Sequence, residues 1–137
     1  MKTFKLDIFT PFGHYYSDEV AFLEVRSEEY TLGILPDHSP LISTVKICKM
    51  IIEQDGVRTI YAISGGVIRV ENNQVTLLVN AIESEDEIDL SRAEQAKERA
   101  ENRLKKLTNE EPLDVTRAEL ALERAINRIN IKKRIDQ

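Results

Sequence analysis

The stretch "IDLSRAEQAKERAENRLKKLTNEEPLDVTRAELALERAINRI" occupies residues 88–129 and writes one helix twice. At an offset of 25, residues 88–104 and 113–129 agree at 10 of 17 positions. The repeated alanines, Ala93, Ala96 and Ala100 against Ala118, Ala121 and Ala125, recur at spacings of three and four, which puts each trio on one helix face. Asp89, or Ser91 with Glu94, can accept the free N–H groups of a first turn, and Thr116 with Glu119 repeats that pair. Between the copies, "KLTNEEPLD" carries Asn109 and Pro112, which stop one helix and restart another. The expectation is an antiparallel helical hairpin. Small residues let its backbones approach closely, yet they bury less apolar area than leucines would, so the pair should separate cheaply.

The copies differ where a partner is implied. Gln95, Lys97 and Glu101 become Leu120, Leu122 and Ile126, and Ile129 and Ile131 widen the second apolar face further. The shared arginines, Arg92, Arg99 and Arg103 then Arg117, Arg124 and Arg128, form one stripe on each helix. Two readings stand. The stripes are a solvated ladder with Glu94, Glu98, Glu119 and Glu123, each pair contributing a few tenths of a kcal/mol. Or they converge on a polyphosphate, since guanidinium suits bidentate phosphate contacts.

Upstream of about residue 80 the period changes to two. "TFKLDIFT" alternates Phe4, Leu6 and Ile8 with Lys5 and Asp7, as a half-buried strand does. "PFG" reads as a turn, "EVAFLEVR" as the second strand and "YTLGILP" as a short third, with "LISTVKICKMIIEQ" supplying further extended segments. Asp55–Gly56 marks a hairpin, Asn72–Asn73 bounds another strand, and "SGG" at residues 64–66 reads as a tight strand connection. The fold class is α+β: an antiparallel β-sandwich over residues 1–84, followed by the α-helical hairpin over 85–137.

The 137 residues carry a net charge of −5, which argues against a nucleic-acid or anionic-membrane binder. Residues 117–137 nevertheless hold six basic and three acidic side chains, a basic tip on an acidic body. No apolar run approaches the ~20 residues that cross a bilayer. The N-terminus enters a strand pattern without a signal segment, and the single Cys48 fits a reducing compartment.

Four ordered motifs carry a resemblance over the whole length. "TLGILPDHSPL" (residues 31–41), "ISGGVIRVENNQVTLL" (63–78), "IDLSRA" (88–93) and "RAELALERAINRI" (117–129) resemble the loop, strand-pair, nucleotide-binding and last-helix signatures of the ε subunit of bacterial F-type ATP synthases. The resemblance implies a ten-stranded sandwich with a helical hairpin and a non-catalytic subunit of the central rotor stalk. Its implied partners are the γ subunit and the ring of c subunits, with the hairpin reaching the catalytic α and β subunits and inhibiting ATP hydrolysis when extended. The implied location is the cytoplasmic face of the cell membrane, peripherally within the synthase. No cofactor is required, and ATP enters as a regulatory ligand. Carried over by position, the nucleotide-binding residues are Glu83, Asp89, Arg92, Ala93, Arg99, Arg124 and Arg128. The loop facing the c-ring holds Thr31, Asp37 and His38. The basic tip, Arg124, Arg128, Lys132, Lys133 and Arg134, would meet acidic loops of the catalytic subunits. Two departures stand out: Asp37 replaces a glycine before His38, and Thr31 replaces a glutamate.

Other chemistry finds no support. His14 and His38 lack metal-ligand neighbours, so no metal site is expected. Cys48 sits in a strand pattern without a histidine, as a buried inert thiol would. No nucleophile, general-base pair or phosphate-binding glycine loop is present. The alternative to a rotor subunit is a stand-alone β-domain whose hairpin serves as a protein-interaction module.

Overall fold

The computed structural model describes residues 2–107 and 112–135. They fall into two compact units, Met1–Glu85 and Asp86–Gln137. Within the first, eight strands run in order: β1 (Phe4–Thr10), β2 (Gly13–Val20), β3 (Phe22–Arg26), β4 (Thr31–Ile34), β5 (Leu41–Gln54), β6 (Val57–Glu71), β7 (Gln74–Val79) and β8 (Ile82–Ser84). Their spatial order is β2-β1-β7-β6-β5-β3-β4, with β8 also on β6.

The resemblance implies ten strands; the described residues form eight, two of them long enough to pair at both ends with different neighbours. Residues 66–71 of β6 pair with β7, whereas residues 61–63 of the same strand pair with β8. In β5, residues 51–53 pair with β3. The β5–β6 ladder skips from Val45↔Gly66 to Ile47↔Ser64, and Gly65 takes a φ of +91° in the gap. Each long strand therefore bends and serves both layers. Phe4, Leu6 and Ile8 of β1, Leu23 and Val25 of β3, Met50 of β5 and Leu77 of β7 meet in one buried cluster between them. All pairings are antiparallel except β1 with β7, which is parallel.

Three strand expectations need correction. "SGG" is no connection between strands; Ser64, Gly65 and Gly66 lie inside β6. Gly66 is required there because a Cβ would stand 1.8 Å from the Leu78 carbonyl oxygen of β7. "EVAFLEVR" is broken at Ala21, whose N–H donates to the Glu53 carbonyl at 2.8 Å, so Glu19 and Val20 end β2 and Phe22 opens β3. And β2 itself, GHYYSDEV, was not anticipated as a strand: only Val20 is buried, so it shows no apolar alternation, and its pairing with β1 holds it extended. Asp55–Gly56 and Asn72–Asn73 all take positive φ, the geometry of two-residue hairpin turns.

The second unit holds α1 (Leu90–Lys106) and α2 (Pro112–Lys132). Lys133 Nζ lies 3.8 Å from Glu94 Oε1, which sets the end of α2 beside the start of α1 and makes the pair antiparallel. Asp89 caps α1: its Oδ1 accepts from the Arg92 N–H at 3.1 Å. The buried Ile88 and Ala93 flank that cap at the positions of a hydrophobic staple. Thr116 does not cap α2, which already starts at Pro112, since proline suits a first turn where no N–H is needed. Asn109 and most of the "TNEEPL" connection lie outside the described residues. Ala93, Ala100, Ala118 and Ala125 are buried, as close helix packing demands. Leu120 and Ile126, two of the changes between the copies, remain 41% and 37% exposed.

Candidate functional site in the helical hairpin

A cleft of about 670 Å³ runs along the hairpin. Ala96, Arg99, Ala100 and Arg103 of α1 line it, with Arg117, Ala118, Ala121, Arg124 and Arg128 of α2. The small side chains make the floor and leave room above it; five guanidinium groups make the walls. Among the described residues no carboxylate belongs to the lining.

Four of these five arginines take no part in a ladder of arginine–glutamate pairs among the described residues. Among the described residues Arg99, Arg103, Arg117 and Arg124 form no salt bridge, and Glu94 pairs with Lys133 instead. Arg99, Arg103 and Arg117 are exposed, whereas Arg124 and Arg128 are half-buried. Water and salt can screen such clustered charge, but a polyanion lying between the walls would relieve the repulsion and take bidentate hydrogen bonds. The described lining is thus cationic, a chemistry that suits an anion.

Of the seven positions carried over for nucleotide, the cleft gathers Arg99, Arg124 and Arg128. Arg92 is exposed outside the lining and Ala93 is buried in helix packing. The Asp89 carboxylate is engaged in the cap. Glu83 is a half-buried residue of β8 in the first unit. Arg103 and Arg117 are the lining arginines that the motif reading did not select, although both belong to the repeated arginine stripes.

The basic tip is divided. Arg124 and Arg128 turn into the cleft, and Lys133 meets Glu94. Arg134 takes a φ of +57°, with its N–H donating to the Ile131 carbonyl and the Ile135 N–H donating to the Asn130 carbonyl. This is the Schellman stop of α2, so the backbone at Arg134 ends the helix.

Thr31, Asp37 and His38, the residues expected to face the c-ring, lie in the first unit. Thr31 opens β4, exposed and paired with Arg26. Asp37 keeps the left-handed conformation, φ +64°, that the glycine it replaces would adopt without strain. Its N–H donates to Asn73 Oδ1 at 2.8 Å. His38 Nδ1 lies 2.7 Å from the Ser39 carbonyl, which assigns the ring proton to Nδ1. Cys48 is buried and burial pushes its thiol up to about 11, away from any nucleophilic role. Among the described residues no three His, Cys, Asp or Glu side chains gather as a metal site, and no helix is long and apolar enough to cross a membrane.

Comparison with known proteins agrees with both units. Residues 3–85 match the family described as ATP synthase, Delta/Epsilon chain, beta-sandwich domain, and residues 86–133 match ATP synthase, Delta/Epsilon chain, long alpha-helix domain. The ATP synthase epsilon chain of Pelotomaculum thermopropionicum is 46% identical over 107 residues, 78% of this chain and 80% of that one. The epsilon chain of Bacillus subtilis is 41% identical over 104 residues, 76% and 79% of the two chains. A chain in the Euglena gracilis mitochondrial ATP synthase, a structure comprising OSCP, F1 and c-ring, superposes with a TM-score of 0.76 at 22% identity, covering 88% of this chain and 76% of that one. A chain in the central stalk and c-ring of the Tetrahymena thermophila enzyme gives 0.63 at 16% identity, with 96% of both covered. At those identities the structures speak to the fold, and the sequence relatives to the family. The chain belongs to the ATP synthase delta/epsilon family, as an epsilon chain, a non-catalytic subunit of the synthase.

Proposed function

We propose that this subunit works in the rotor stalk, with its sandwich on the γ subunit and the c-ring, at the cytoplasmic face of the membrane. The hairpin is a brake on ATP hydrolysis, and ATP is the ligand that holds the brake off. The observation that carries the nucleotide part is the cleft whose lining brings Arg99 of α1 together with Arg124 and Arg128 of α2, with no carboxylate among the described lining residues. A triphosphate bound there bridges the helices and adds to the weak alanine packing. Its loss lets the pair part, and the exposed Leu120 and Ile126 then have an apolar face to offer another subunit. Bridging is a differential interaction, present in the closed hairpin and lost in the open one, as a ligand-driven switch requires.

Calorimetric titration of the full chain with ATP, ADP and AMP tests the ligand. Affinity should fall in that order, and Arg99→Gln with Arg124→Gln should abolish ATP binding. In a reconstituted catalytic head carrying γ, the same double variant should inhibit hydrolysis more strongly at high ATP than the parent does. Equal inhibition by both proteins at every ATP concentration would remove the nucleotide from the mechanism.

A further inference from the structure

The β5–β6 turn leaves a backbone amide and the carboxylate before it without other partners. Asp55 and Gly56 lie between the last paired positions of the ladder, Gln54 and Val57. Both are exposed, and both take positive φ, +52° and +78°. Among the described residues the Gly56 N–H donates no hydrogen bond, and the Asp55 carboxylate neither accepts one nor joins a salt bridge. The space beside Gly56 is open, with nothing within 4 Å of an added Cβ. Other aspartates are tied down: Asp7 accepts from the Gln74 amide and meets His14, Asp18 accepts the Glu19 N–H, and Asp89 caps α1. Asp55 is also the one aspartate or asparagine of the sequence that precedes a glycine. A glycine has no Cβ to shield its amide nitrogen, and its backbone turns freely enough to bring that nitrogen onto the preceding side chain.

We propose that Asp55–Gly56 is a self-modification site, at which the aspartate isomerises to isoaspartate without an enzyme. The Gly56 amide nitrogen loses its proton and bonds to Asp55 Cγ. The carboxyl group loses a hydroxyl, which leaves with a proton as one water, and a cyclic imide remains. Water then re-enters at either imide carbonyl. Opening at Cγ restores aspartate. Opening at the backbone carbonyl carbon leaves the chain running through Cβ and Cγ, with the former backbone carbonyl as a free carboxylate. The water lost equals the water regained, so the mass is unchanged. The turn now holds one extra backbone carbon, and a two-residue turn sets the register and twist of its strands by its own geometry. The Gln54↔Val57 end of the ladder therefore opens. With it go the Arg58–Glu53 ion pair at 2.9 Å and the seat of Arg58 over the Phe22 ring at 5.2 Å. The new carboxylate makes the turn a substrate for the class of methyltransferase that esterifies isoaspartate with S-adenosylmethionine.

The test incubates the folded full chain at neutral pH and maps isoaspartate by electron-transfer fragmentation of its peptides. Methyl transfer from labelled S-adenosylmethionine by a purified isoaspartyl methyltransferase gives the total. Isoaspartate should build up at residue 55 ahead of every other aspartate. Gly56→Asn supplies a residue that tolerates positive φ but shields the nitrogen, and should slow the build-up by about tenfold. Asp55→Glu would need a larger, slower-forming ring and should stop it. Asp55→Asn loses ammonia in place of water and should convert faster than the parent, read directly as a gain in mass. Both positions are exposed, so the variants should keep the fold, which circular dichroism checks. Build-up in urea but not in the folded chain, a rate untouched by Gly56→Asn, or an amide that persists in folded Asp55→Asn overturns the proposal.

Discussion

Asp37 and Asn73 are joined across 36 positions of sequence: the Asp37 N–H donates to Asn73 Oδ1 at 2.8 Å, and Asn73 Nδ2 donates in turn to the Thr3 carbonyl at 2.9 Å. One side chain in the β6–β7 turn thereby ties the His38 loop to the N-terminal segment. Asn73 also has a φ of +60°, which asparagine tolerates better than most residues. Asn73→Gly keeps the backbone geometry and deletes both bonds. It should cost about 1–2 kcal/mol in urea unfolding and speed hydrogen exchange at the Asp37 amide. Unchanged exchange there would show that the loop holds its shape unaided.

Gly66 leaves less freedom. The space beside it is filled by the Leu78 carbonyl at 1.8 Å from any added Cβ, and backbone atoms cannot swing aside as a side-chain tip would. Gly66→Ala should therefore force β6 and β7 apart and cost more than about 3 kcal/mol, or prevent soluble expression. Gly13 is the control, since nothing lies within 4 Å of its added Cβ, although its φ of +116° still strains an alanine. A small loss at Gly66 would mean that the two strands can shift in register.

Alkaline pH should loosen the sandwich. Burial pushes the Cys48 thiol up to about 11 from an ordinary value of 9.0, and burial, then neighbouring Tyr61, pushes Tyr16 up to about 12. In both cases the folded state favours the protonated form. Their stabilisation is fully present below the unfolded value and is lost as pH rises through the folded one. Between pH 9 and 11 the thiol alone should cost on the order of 2 kcal/mol. Urea midpoints measured across that window should fall less steeply in Cys48→Ala, and an equal slope in both proteins would place the effect elsewhere.

Much of this was written plainly in the chain. The alternation of Phe4, Leu6 and Ile8 gave β1 because one face of that strand is core and the other is not. The alanine spacing gave the hairpin because backbone approach is decided by side-chain size. The rest has its cause outside the local pattern. β2 is extended because β1 pairs with it, and its exposed side chains carry no apolar phase. The two glycines at 65 and 66 looked like a turn, yet a strand bend and a close β7 neighbour require them, and neither is visible until the strands pair. The arginine stripes were legible, but that Arg99, Arg103, Arg117 and Arg124 form no salt bridge among the described residues depends on how two helices are rotated about their own axes.

Asp89 carries two roles that substitution can separate. As the cap it accepts the Arg92 N–H, and as part of the nucleotide motif it would accept a hydrogen bond from the ligand or organise a neighbouring salt bridge. Asp89→Ala should cost the hairpin about 1 kcal/mol, seen as faster exchange at the Arg92 and Ala93 amides. Asp89→Ser restores a capping oxygen without the charge. If the cap is the whole role, the serine variant should recover both protection and ATP affinity; recovery of protection alone would return the carboxylate to the binding site.

The hairpin's alanines make the sharpest demand. Ala100 and Ala125 are buried where α1 and α2 pack, and the cleft walls stand as close as those two small residues allow. Leucine at Ala125, which lies outside the cleft lining, adds apolar volume with nowhere to go, and overpacking of this kind costs about 1–3 kcal/mol. Relief comes by separating the helices, which also carries Arg99 away from Arg124 and Arg128. Ala125→Leu should therefore weaken ATP binding by about tenfold, or about 1.4 kcal/mol, without altering any charge. Ala121→Leu fills the cleft floor instead, and should block the ligand sterically while leaving hairpin stability nearly unchanged. If Ala125→Leu binds ATP as tightly as the parent, the phosphate site does not depend on helix spacing, and a ligand that bridges the two helices cannot be what holds them together.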